Sequence, residues 1–190
     1  MKKVFAVLAF ACFISTIVFA QNKPIRPKSL GVSFIMNDFA TAEKIRTGSL
    51  SSVFRDKQWS KLKNMSPGLA LTYFKGMTPY ADFAGTFAFS GASDPSYVSV
   101  GDALLLEGDA SVNLKLFDDS YWVSPYLSAG IGASKFKSYY AAILPLGIGL
   151  KVNLFKEGGI FLGTQYRIPV SEAANYHFMY SFGIAGIIGK

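Results

Sequence analysis

The stretch "NYHFMYSFGIAGIIGK" (175–190) alternates between two kinds of side chain. Every second residue is large and apolar, with one glycine as the exception, whereas the residues between them are mostly small or weakly polar. Because successive side chains of a β-strand point to opposite faces, this stretch predicts a strand with one large apolar face. The large side chains are those of Tyr176, Phe178, Tyr180, Phe182, Ile184 and Ile188.

The same alternation recurs about eight times along the chain and predicts eight strands. Most of them have about 9–15 residues, whereas an ordinary strand averages about 5–6 residues and a tilted strand that spans a membrane needs about 9–11. The predicted strands are therefore long enough to cross a bilayer. They lie at 29–39, 67–75, 79–89, 103–117, 124–136, 141–155, 159–170 and 175–188.

The predicted connections are of two kinds that alternate along the chain. Tight connections, rich in the Gly, Pro and Asp that turns require, lie at 75–79, 118–125 and 156–159. The others lie at 40–66, 90–102, 138–140 and 171–175. Short turns at one end and longer loops at the other are typical of bacterial outer-membrane barrels. The connection at 138–140 is short for that pattern.

The large apolar faces point outward in our interpretation. If they pointed inward they would overfill a small barrel, and faces of Gly, Ala and Ser would be left to meet water. An eight-stranded barrel has room inside only for side chains, and closure pairs every strand edge, as lipid requires. The sequence therefore predicts an all-β, antiparallel, up-and-down transmembrane barrel. Its lipid-facing aromatic residues in the last strand are Tyr176, Phe178, Tyr180 and Phe182.

The N-terminus predicts an export signal. A basic "MKK" precedes an apolar run that ends in Val18-Phe19-Ala20, and we expect cleavage after Ala20. An uncleaved membrane anchor is the alternative. Residues 1–20 are then the signal peptide, 21–28 form a short lead that we expect to be disordered, and 29–190 form the barrel. The single cysteine, Cys12, lies in the signal, so the mature chain has no thiol chemistry.

Eight alternating strands behind a signal peptide, three tight turns and the closing strand "YHFMYSFGIAG" (176–186) resemble the small outer-membrane β-barrel family, similar to the OmpA and OmpX transmembrane domains. The resemblance covers about residues 29–190. It implies a monomer in the outer membrane of a Gram-negative-type cell, in contact with outer-membrane lipid and inserted by the outer-membrane insertion machinery. Two departures are the final Lys190, where many such barrels end in an aromatic residue, and the absence of a following periplasmic OmpA-like domain.

Motifs for catalysis or metal binding are missing from the sequence. It contains no HExxH, CxxC, GxSxG or Walker motif, and His177 is the only histidine. We expect His177 to be an interior hydrogen-bonding residue near the outer rim. The sequence thus predicts a protein that is not an enzyme, with no cofactor, no metal site and no nucleic-acid partner.

Two alternatives remain open at this stage. The first is a lipid-modifying outer-membrane barrel enzyme, which requires a serine or an acid beside His177. The second is a soluble periplasmic barrel that binds a hydrophobic ligand, which requires the apolar faces to point inward.

The predicted loop 40–66 is basic. It holds six basic and two acidic residues, a net charge of +4, whereas the chain without residues 1–20 has 17 basic and 12 acidic residues. We expect this loop to be extracellular. Its basic and apolar side chains are suited to lipopolysaccharide or another polyanion, and the alternative is a solvated, partly helical cap. The candidate anion contacts are Arg55, Lys57, Lys61 and Lys63.

The predicted lumen contains three charges of each sign. Because a lone charge in a narrow interior is costly, we expect paired charges in two tiers and a plugged lumen. One tier joins Asp82 with Lys115 or Lys151 near the tight turns, and the other joins Glu107 or Asp109 with Arg167. The sequence therefore predicts a non-enzymatic outer-membrane barrel that serves membrane architecture or surface contact.

Overall fold

The computed structural model describes residues 25–92, 103–155, 158–171 and 174–189. The predicted signal peptide at 1–20, the first part of the lead, most of the 90–102 connection, part of the 156–159 turn and the final Lys190 lie outside the described residues.

Eight strands follow one another around a closed antiparallel barrel. Each strand pairs with its neighbours in the sequence, and the first strand pairs with the last, with Ser29 opposite Ile187. The predicted eight-stranded up-and-down barrel is confirmed, and the observed strand ends lie within three residues of the predicted ends. The strands are β1 (Ser29–Asp38), β2 (Ser66–Thr78), β3 (Ala81–Ala92), β4 (Ala103–Lys115), β5 (Val123–Phe136), β6 (Tyr139–Phe155), β7 (Gly158–Pro169) and β8 (His177–Ile187).

The two ends of the barrel differ in their connections. At one end, which we call the loop end, β1 is joined to β2, β3 to β4, β5 to β6 and β7 to β8. The other end, called the turn end, carries the remaining connections, including a two-residue turn at 79–80. At the loop end β5 and β6 are joined by residues 137 and 138 alone, with Lys137 at a φ of 53°. This reversal is shorter than the predicted 138–140 connection, so β6 begins two residues earlier than expected.

Two helices follow β1, where the sequence predicted a strand to residue 39 and then a loop, with a partly helical cap as the alternative. β1 ends at Asp38, whose carboxylate accepts a hydrogen bond from the Thr41 backbone N–H at 2.9 Å and caps α1 (Phe39–Thr47). Ser49 forms a capping box at the start of α2 (Leu50–Arg55). Neither of these, nor any other helix in the described ranges, is long and apolar enough to cross a membrane.

The outer wall of the barrel is apolar. Large side chains on the outward faces are well exposed, with Ile131 at 69%, Ile184 at 66% and Ile148 at 63%. A soluble barrel that binds a hydrophobic ligand requires the opposite orientation, with these side chains inside. The lumen instead holds polar and small residues and two small apolar clusters. The clusters are Ile35, Ala70, Ala88 and Met179, and Phe74, Ala84, Phe161 and Ala185.

Glycines on the inner wall make room for the few large inward side chains. Tyr126 lies directly against Gly149, and its hydroxyl donates a hydrogen bond to the Leu162 carbonyl at 3.3 Å. A Cβ at position 149 would overlap the end of the tyrosine ring. A small residue here is therefore a requirement of the crowded lumen.

Residues 25–28 of the lead make backbone hydrogen bonds to the strands. The Gly76 N–H donates to the Arg26 carbonyl at 3.3 Å, and the Ile188 N–H donates to the Lys28 carbonyl at 2.9 Å. The segment precedes β1 directly and lies between the ends of β2 and β8, which supply these partners.

We predict that the folded protein is heat-modifiable. A closed barrel in detergent stays compact without boiling, because unzipping it breaks whole ladders of backbone hydrogen bonds at once. Unboiled and boiled samples, refolded into micelles, should migrate differently in a detergent gel. Equal mobility of the two samples, with refolding verified by circular dichroism, would contradict a closed barrel.

Candidate functional site

A first group of buried charges lies in the lumen at the turn end. Asp82 of β3 is fully buried between two lysines: Lys115 Nζ lies 2.9 Å from its Oδ1 and Lys151 Nζ lies 2.8 Å from its Oδ2. Lys115 also forms an ion pair with Asp119, in the turn after β4. One carboxylate thus bridges cations from two different strands, and a second carboxylate supports one of them. We call these four residues the turn-end tier.

Arg26 adds a third cation beside this tier. Its guanidinium lies 5.6 Å from the centre of the Phe74 ring, and its Nε donates to the Ser29 hydroxyl at 3.2 Å. Lys151 Nζ lies 5.1 Å from the same ring. Burial lowers the pKa of Arg26 from its ordinary value, and the nearby carboxylates of Asp82 and Asp119 oppose that shift.

A second group of charges, the loop-end tier, crosses the lumen between β4 and β7. Arg167 is fully buried, with Nη1 donating to Glu107 Oε2 at 2.9 Å and Nη2 donating to Asp109 Oδ2 at 2.7 Å. Its Nη2 also donates to the Gln165 side-chain oxygen at 3.1 Å. Glu107 and Asp109 are two residues apart on β4, so the strand alternation turns both carboxylates to the same guanidinium.

His177, the first residue of β8, completes the loop-end tier. Its Nε2 lies 3.2 Å from Glu107 Oε2, and its Nδ1 lies 3.2 Å from the backbone carbonyl oxygen of Asn175. The Phe39 ring packs against the imidazole with 4.7 Å between ring centres. The buried imidazole therefore touches both the charge network and the first residue of α1.

The structure places all six predicted lumen charges inside the barrel and divides them between the tiers. Asp82 contacts both Lys115 and Lys151, and Arg167 contacts both Glu107 and Asp109. Arg26, Asp119 and His177 are network members that sequence reasoning did not include. The sequence analysis placed Arg26 in a lead expected to be disordered and Asp119 in a turn. It named no partner for His177.

The acid that a lipid-modifying enzyme would require does lie beside His177. A general base, however, needs a ring nitrogen free to take a proton from a nucleophile. Both nitrogens of His177 are engaged, by Glu107 and by the Asn175 carbonyl. The Ser134 hydroxyl forms a hydrogen bond with Glu107. Over the described residues there is also no group of three or more His, Cys, Asp or Glu that could hold a metal ion.

Residues 39–65 form a folded cap at the loop end. Thr41 and Ala42 of α1 and Val53 of α2 are fully buried. The Ser60 backbone N–H donates to the Thr41 hydroxyl at 3.0 Å, and Lys44 Nζ donates to the Gln58 carbonyl at 3.1 Å. These contacts fasten the second half of the cap to α1, which itself packs on β8.

The outer surface of the cap combines apolar and basic side chains. Leu62 is 72% exposed and Phe54 is 60% exposed, with the Phe54 ring edge-on to Trp59 at 5.0 Å between centres. The candidate anion contacts Arg55, Lys57, Lys61 and Lys63 are all exposed beside them. Arg55 also pairs with Asp56 at 3.1 Å, with both side chains in solvent.

Aromatic side chains line the loop-end rim beside β8. Phe178, Tyr180 and Phe182 lie on its outward face, whereas Tyr176 precedes the strand, in the β7–β8 connection. Tyr166 of β7 joins this group, with its ring centre 5.9 Å from that of Tyr176 and 4.8 Å from that of Phe178. The Arg46 guanidinium of α1 lies 5.7 Å from the centre of the Tyr176 ring. A cation from the cap is thus held at the upper edge of the aromatic group.

Comparison with known proteins identifies the architecture. No protein-family model and no curated protein sequence matches the chain. Among solved structures, Neisserial surface protein A aligns with a TM-score of 0.55 and 13% identity, over 85% of this chain and 96% of that one. The chain has the fold of the small outer-membrane β-barrels.

Two further barrels of this kind align at lower scores. The N-terminal β-barrel domain of Pseudomonas aeruginosa OprF has a TM-score of 0.49 and 11% identity, over 83% of this chain and 96% of that one. The attachment invasion locus protein Ail of Yersinia pestis has a TM-score of 0.49 and 18% identity, over 84% and 95%.

Removing the guanidinium of the loop-end tier should destabilise this outer-membrane-type barrel strongly. Arg167→Ala leaves two buried carboxylates without their shared partner, which costs about 3–5 kcal/mol when one member of a buried ion pair is removed. The free energy of unfolding, measured by urea titration in micelles, reports the loss.

The matched control is Arg55→Ala, which removes an arginine whose side chain is 79% exposed and whose partner is also in solvent. An exposed ion pair contributes about 0–1 kcal/mol, so this variant should unfold like the wild type. Equal unfolding curves for Arg167→Ala and Arg55→Ala would show that the lumen pairs do not stabilise the fold.

Proposed function

We propose that the protein is a non-enzymatic outer-membrane barrel with a plugged lumen, which serves membrane architecture and surface contact. The observation that carries the proposal is the contrast between the two faces of one closed sheet. The outer wall exposes large apolar side chains such as Ile131 and Ile184, and the inner wall holds buried ion pairs.

The apolar wall supports a location in lipid. A contiguous apolar surface that encircles a soluble protein would drive aggregation, whereas in a bilayer it is the surface that contacts acyl chains. The closed ladder of backbone hydrogen bonds leaves no strand edge unpaired, which is the condition for strands in hydrocarbon. The predicted export signal at 1–20 agrees with the outer membrane as the destination.

The orientation in the membrane follows from the connections. In bacterial outer-membrane barrels the short turns face the periplasm and the longer loops face the exterior. By that rule the turn at 79–80 is periplasmic and the cap at 39–65 lies on the cell surface.

The plugged lumen predicts a protein without a steady large conductance in planar bilayers. Both tiers place side chains across the interior, and opening an aqueous path would separate ion pairs such as Lys151–Asp82 and Arg167–Glu107. Single-channel recording of the refolded protein, with a known porin as the positive control in the same bilayer, makes the measurement. A wide and stable pore in the unmutated protein would contradict the plug.

The cap is the surface through which we propose contact with the outer leaflet. Exposed Phe54 and Leu62 beside exposed Arg55, Lys57, Lys61 and Lys63 match a ligand that has both phosphates and acyl chains. Lipopolysaccharide is such a ligand. A soluble polyanion offers charge alone and gives the apolar side chains no partner.

Neutralising the cap should weaken lipopolysaccharide binding. Replacing Lys61 and Lys63 by Gln removes two exposed charges from the cap, and adding Arg55→Gln and Lys57→Gln removes all four. Binding of the micellar protein to lipopolysaccharide should fall stepwise. The wild-type affinity should itself fall as salt is raised, because exposed charges are screened over about 8–10 Å at physiological ionic strength.

Lys28→Gln with Lys75→Gln is the matched control, since both lysines are exposed at the turn end. This pair should leave the affinity unchanged. A second arm uses Phe54→Ser with Leu62→Ser, which should weaken binding to lipopolysaccharide but not to a sulfated polysaccharide. Unchanged affinity of the fourfold variant, or an equal loss in the turn-end control, would refute the role of the cap.

A further inference from the structure

A row of aromatic side chains runs down the outer wall along β8. Tyr176, Phe178, Tyr180 and Phe182 follow one another at alternate positions, and the rings of Phe178 and Tyr180 are stacked with 6.1 Å between their centres. Tyr166 of β7 widens the row through its contacts with Tyr176 and Phe178. We call these five residues the aromatic row. Four of the rings are half-buried and Phe182 is 55% exposed, so part of each ring remains open to the surroundings of the barrel.

The aromatic row has roughly the depth of one leaflet. Tyr176 and Phe182 are six residues apart, and at about 3.4 Å per residue this is about 20 Å along the strand. With a strand tilt of about 35–45° the row covers a depth of about 15 Å, whereas the apolar band of an outer-membrane barrel is about 25 Å tall. The row begins at the loop end, so in the orientation proposed above it lies mostly within the outer leaflet.

Arg46, in the last turn of α1, lies at the upper end of the aromatic row. Its guanidinium is 5.7 Å from the centre of the Tyr176 ring, and it is close enough to the Tyr166 hydroxyl to interact with it electrostatically. The helix itself packs on β8, the strand that carries most of the row. A cation and two phenol groups therefore meet at the boundary between the cap and the apolar wall.

No acid of the described residues neutralises Arg46. Glu43, three residues earlier on α1, forms no ion pair with it. Asp38 is fully buried, and its carboxylate caps the first turn of α1. The neighbouring cation, Lys44, donates to the Gln58 carbonyl. Within the part of the chain that the structure describes, Arg46 thus contacts aromatic residues only, and its side chain is exposed with its N–H donors available to a ligand.

This combination of groups matches a lipid that carries phosphate. A guanidinium donates two parallel hydrogen bonds to a phosphate, and tyrosine hydroxyls at the same level can donate to it as well. The aromatic row below offers an apolar surface to acyl chains. Lipid A, the phosphorylated and acylated sugar of lipopolysaccharide, fits best, because it belongs to the outer leaflet and its phosphates are attached to the sugars that carry the chains. Inorganic phosphate would leave the row without a partner.

We propose that Arg46 and the aromatic row form a lipid A site on the barrel wall. A phosphate of lipid A accepts hydrogen bonds from Arg46, and the acyl chains lie along Phe178, Tyr180 and Phe182. The site gives the surface contact proposed above a second place on the molecule. It rests on the proposed location in the outer membrane and not on the four basic residues of the cap.

The four arginines of the chain allow a direct test, because only Arg46 lies beside the aromatic row. Protein labelled with ¹⁵N-arginine is refolded in micelles of a sugar detergent, without phosphate, and titrated with lipid A. The Nε–H signal of Arg46, identified by its absence from Arg46→Lys, should shift and saturate, while those of Arg26 and Arg167 stay in place. Lipid A without its phosphates, and inorganic phosphate at the same concentration, should leave the Arg46 signal unmoved. Phosphatidylglycerol should move it only at a higher concentration.

Variants of the site should lower the affinity for lipid A, measured as the lipid A retained per protein in native mass spectrometry. Arg46→Gln should weaken binding by about tenfold, because it removes a hydrogen bond to a charged group. Arg46→Lys keeps the charge without the planar fork and should lose less. Phe182→Ala shortens the row and should also weaken binding. Since both side chains are exposed, all three variants should keep the gel mobility of the folded wild type.

Arg55→Gln is the matched control, since it removes an exposed arginine of the cap. The Arg46 signal should saturate at the same lipid A concentration in this variant as in the wild type. An Arg46 signal that moves while that of Arg55 stays still would support this site and count against the cap, and the reverse result would overturn this site and leave the cap proposal standing. Equal responses of Arg46 to lipid A, phosphatidylglycerol and inorganic phosphate would also overturn the lipid A site.

Discussion

The narrow lumen of a closed eight-stranded barrel is the constraint on which the rest of the structure depends. Closure pairs the backbone of every strand, and at this strand number it leaves space inside for side chains only. Each inward residue must therefore be small, or fit against a neighbour that is small, as Tyr126 fits against Gly149. A charged side chain in so narrow an interior is costly unless an opposite charge lies beside it.

The two ends of the barrel meet this constraint in different ways. At the turn end Arg26, Lys115 and Lys151 surround Asp82 and Asp119, and the chain that precedes β1 helps to fill the opening. At the loop end Arg167 spans the lumen to two carboxylates, and the Phe39 ring at the start of α1 packs against His177. The apolar surface is consequently displaced to the outer wall, where the proposed lipid lies.

The sequence could predict which side chains point into the lumen and which point outward, because successive side chains of a strand point to opposite faces. The alternation in 175–190 separates Met179 and Ala185, which are buried, from Phe182 and Ile184, which are exposed. The same phase points Asp82, Glu107 and Arg167 inward. Which side chains meet across the lumen depends on the shear of the barrel, and no local sequence pattern reports the shear. The sequence therefore could not assign Asp82 to one lysine, and in the structure Asp82 contacts both Lys115 and Lys151. α1 was missed although the sequence marks its start: Asp38 falls on the large apolar face of β1 and so breaks the alternation, and its carboxylate caps the helix.

A double-mutant cycle between Glu107 and Arg167 tests most directly whether charges paired across a narrow lumen hold this barrel together. Glu107→Gln, Arg167→Met and the double variant are refolded in micelles, and the free energy of unfolding is measured for each. Since the two side chains lie 2.9 Å apart and are buried, the account predicts a coupling energy of about 1–3 kcal/mol, with the double variant more stable than the sum of the single losses implies. If the losses of unfolding free energy in the two single variants add up to the loss in the double variant within about 0.5 kcal/mol, as they do for residues without contact, the pair does not stabilise the barrel and the account is contradicted.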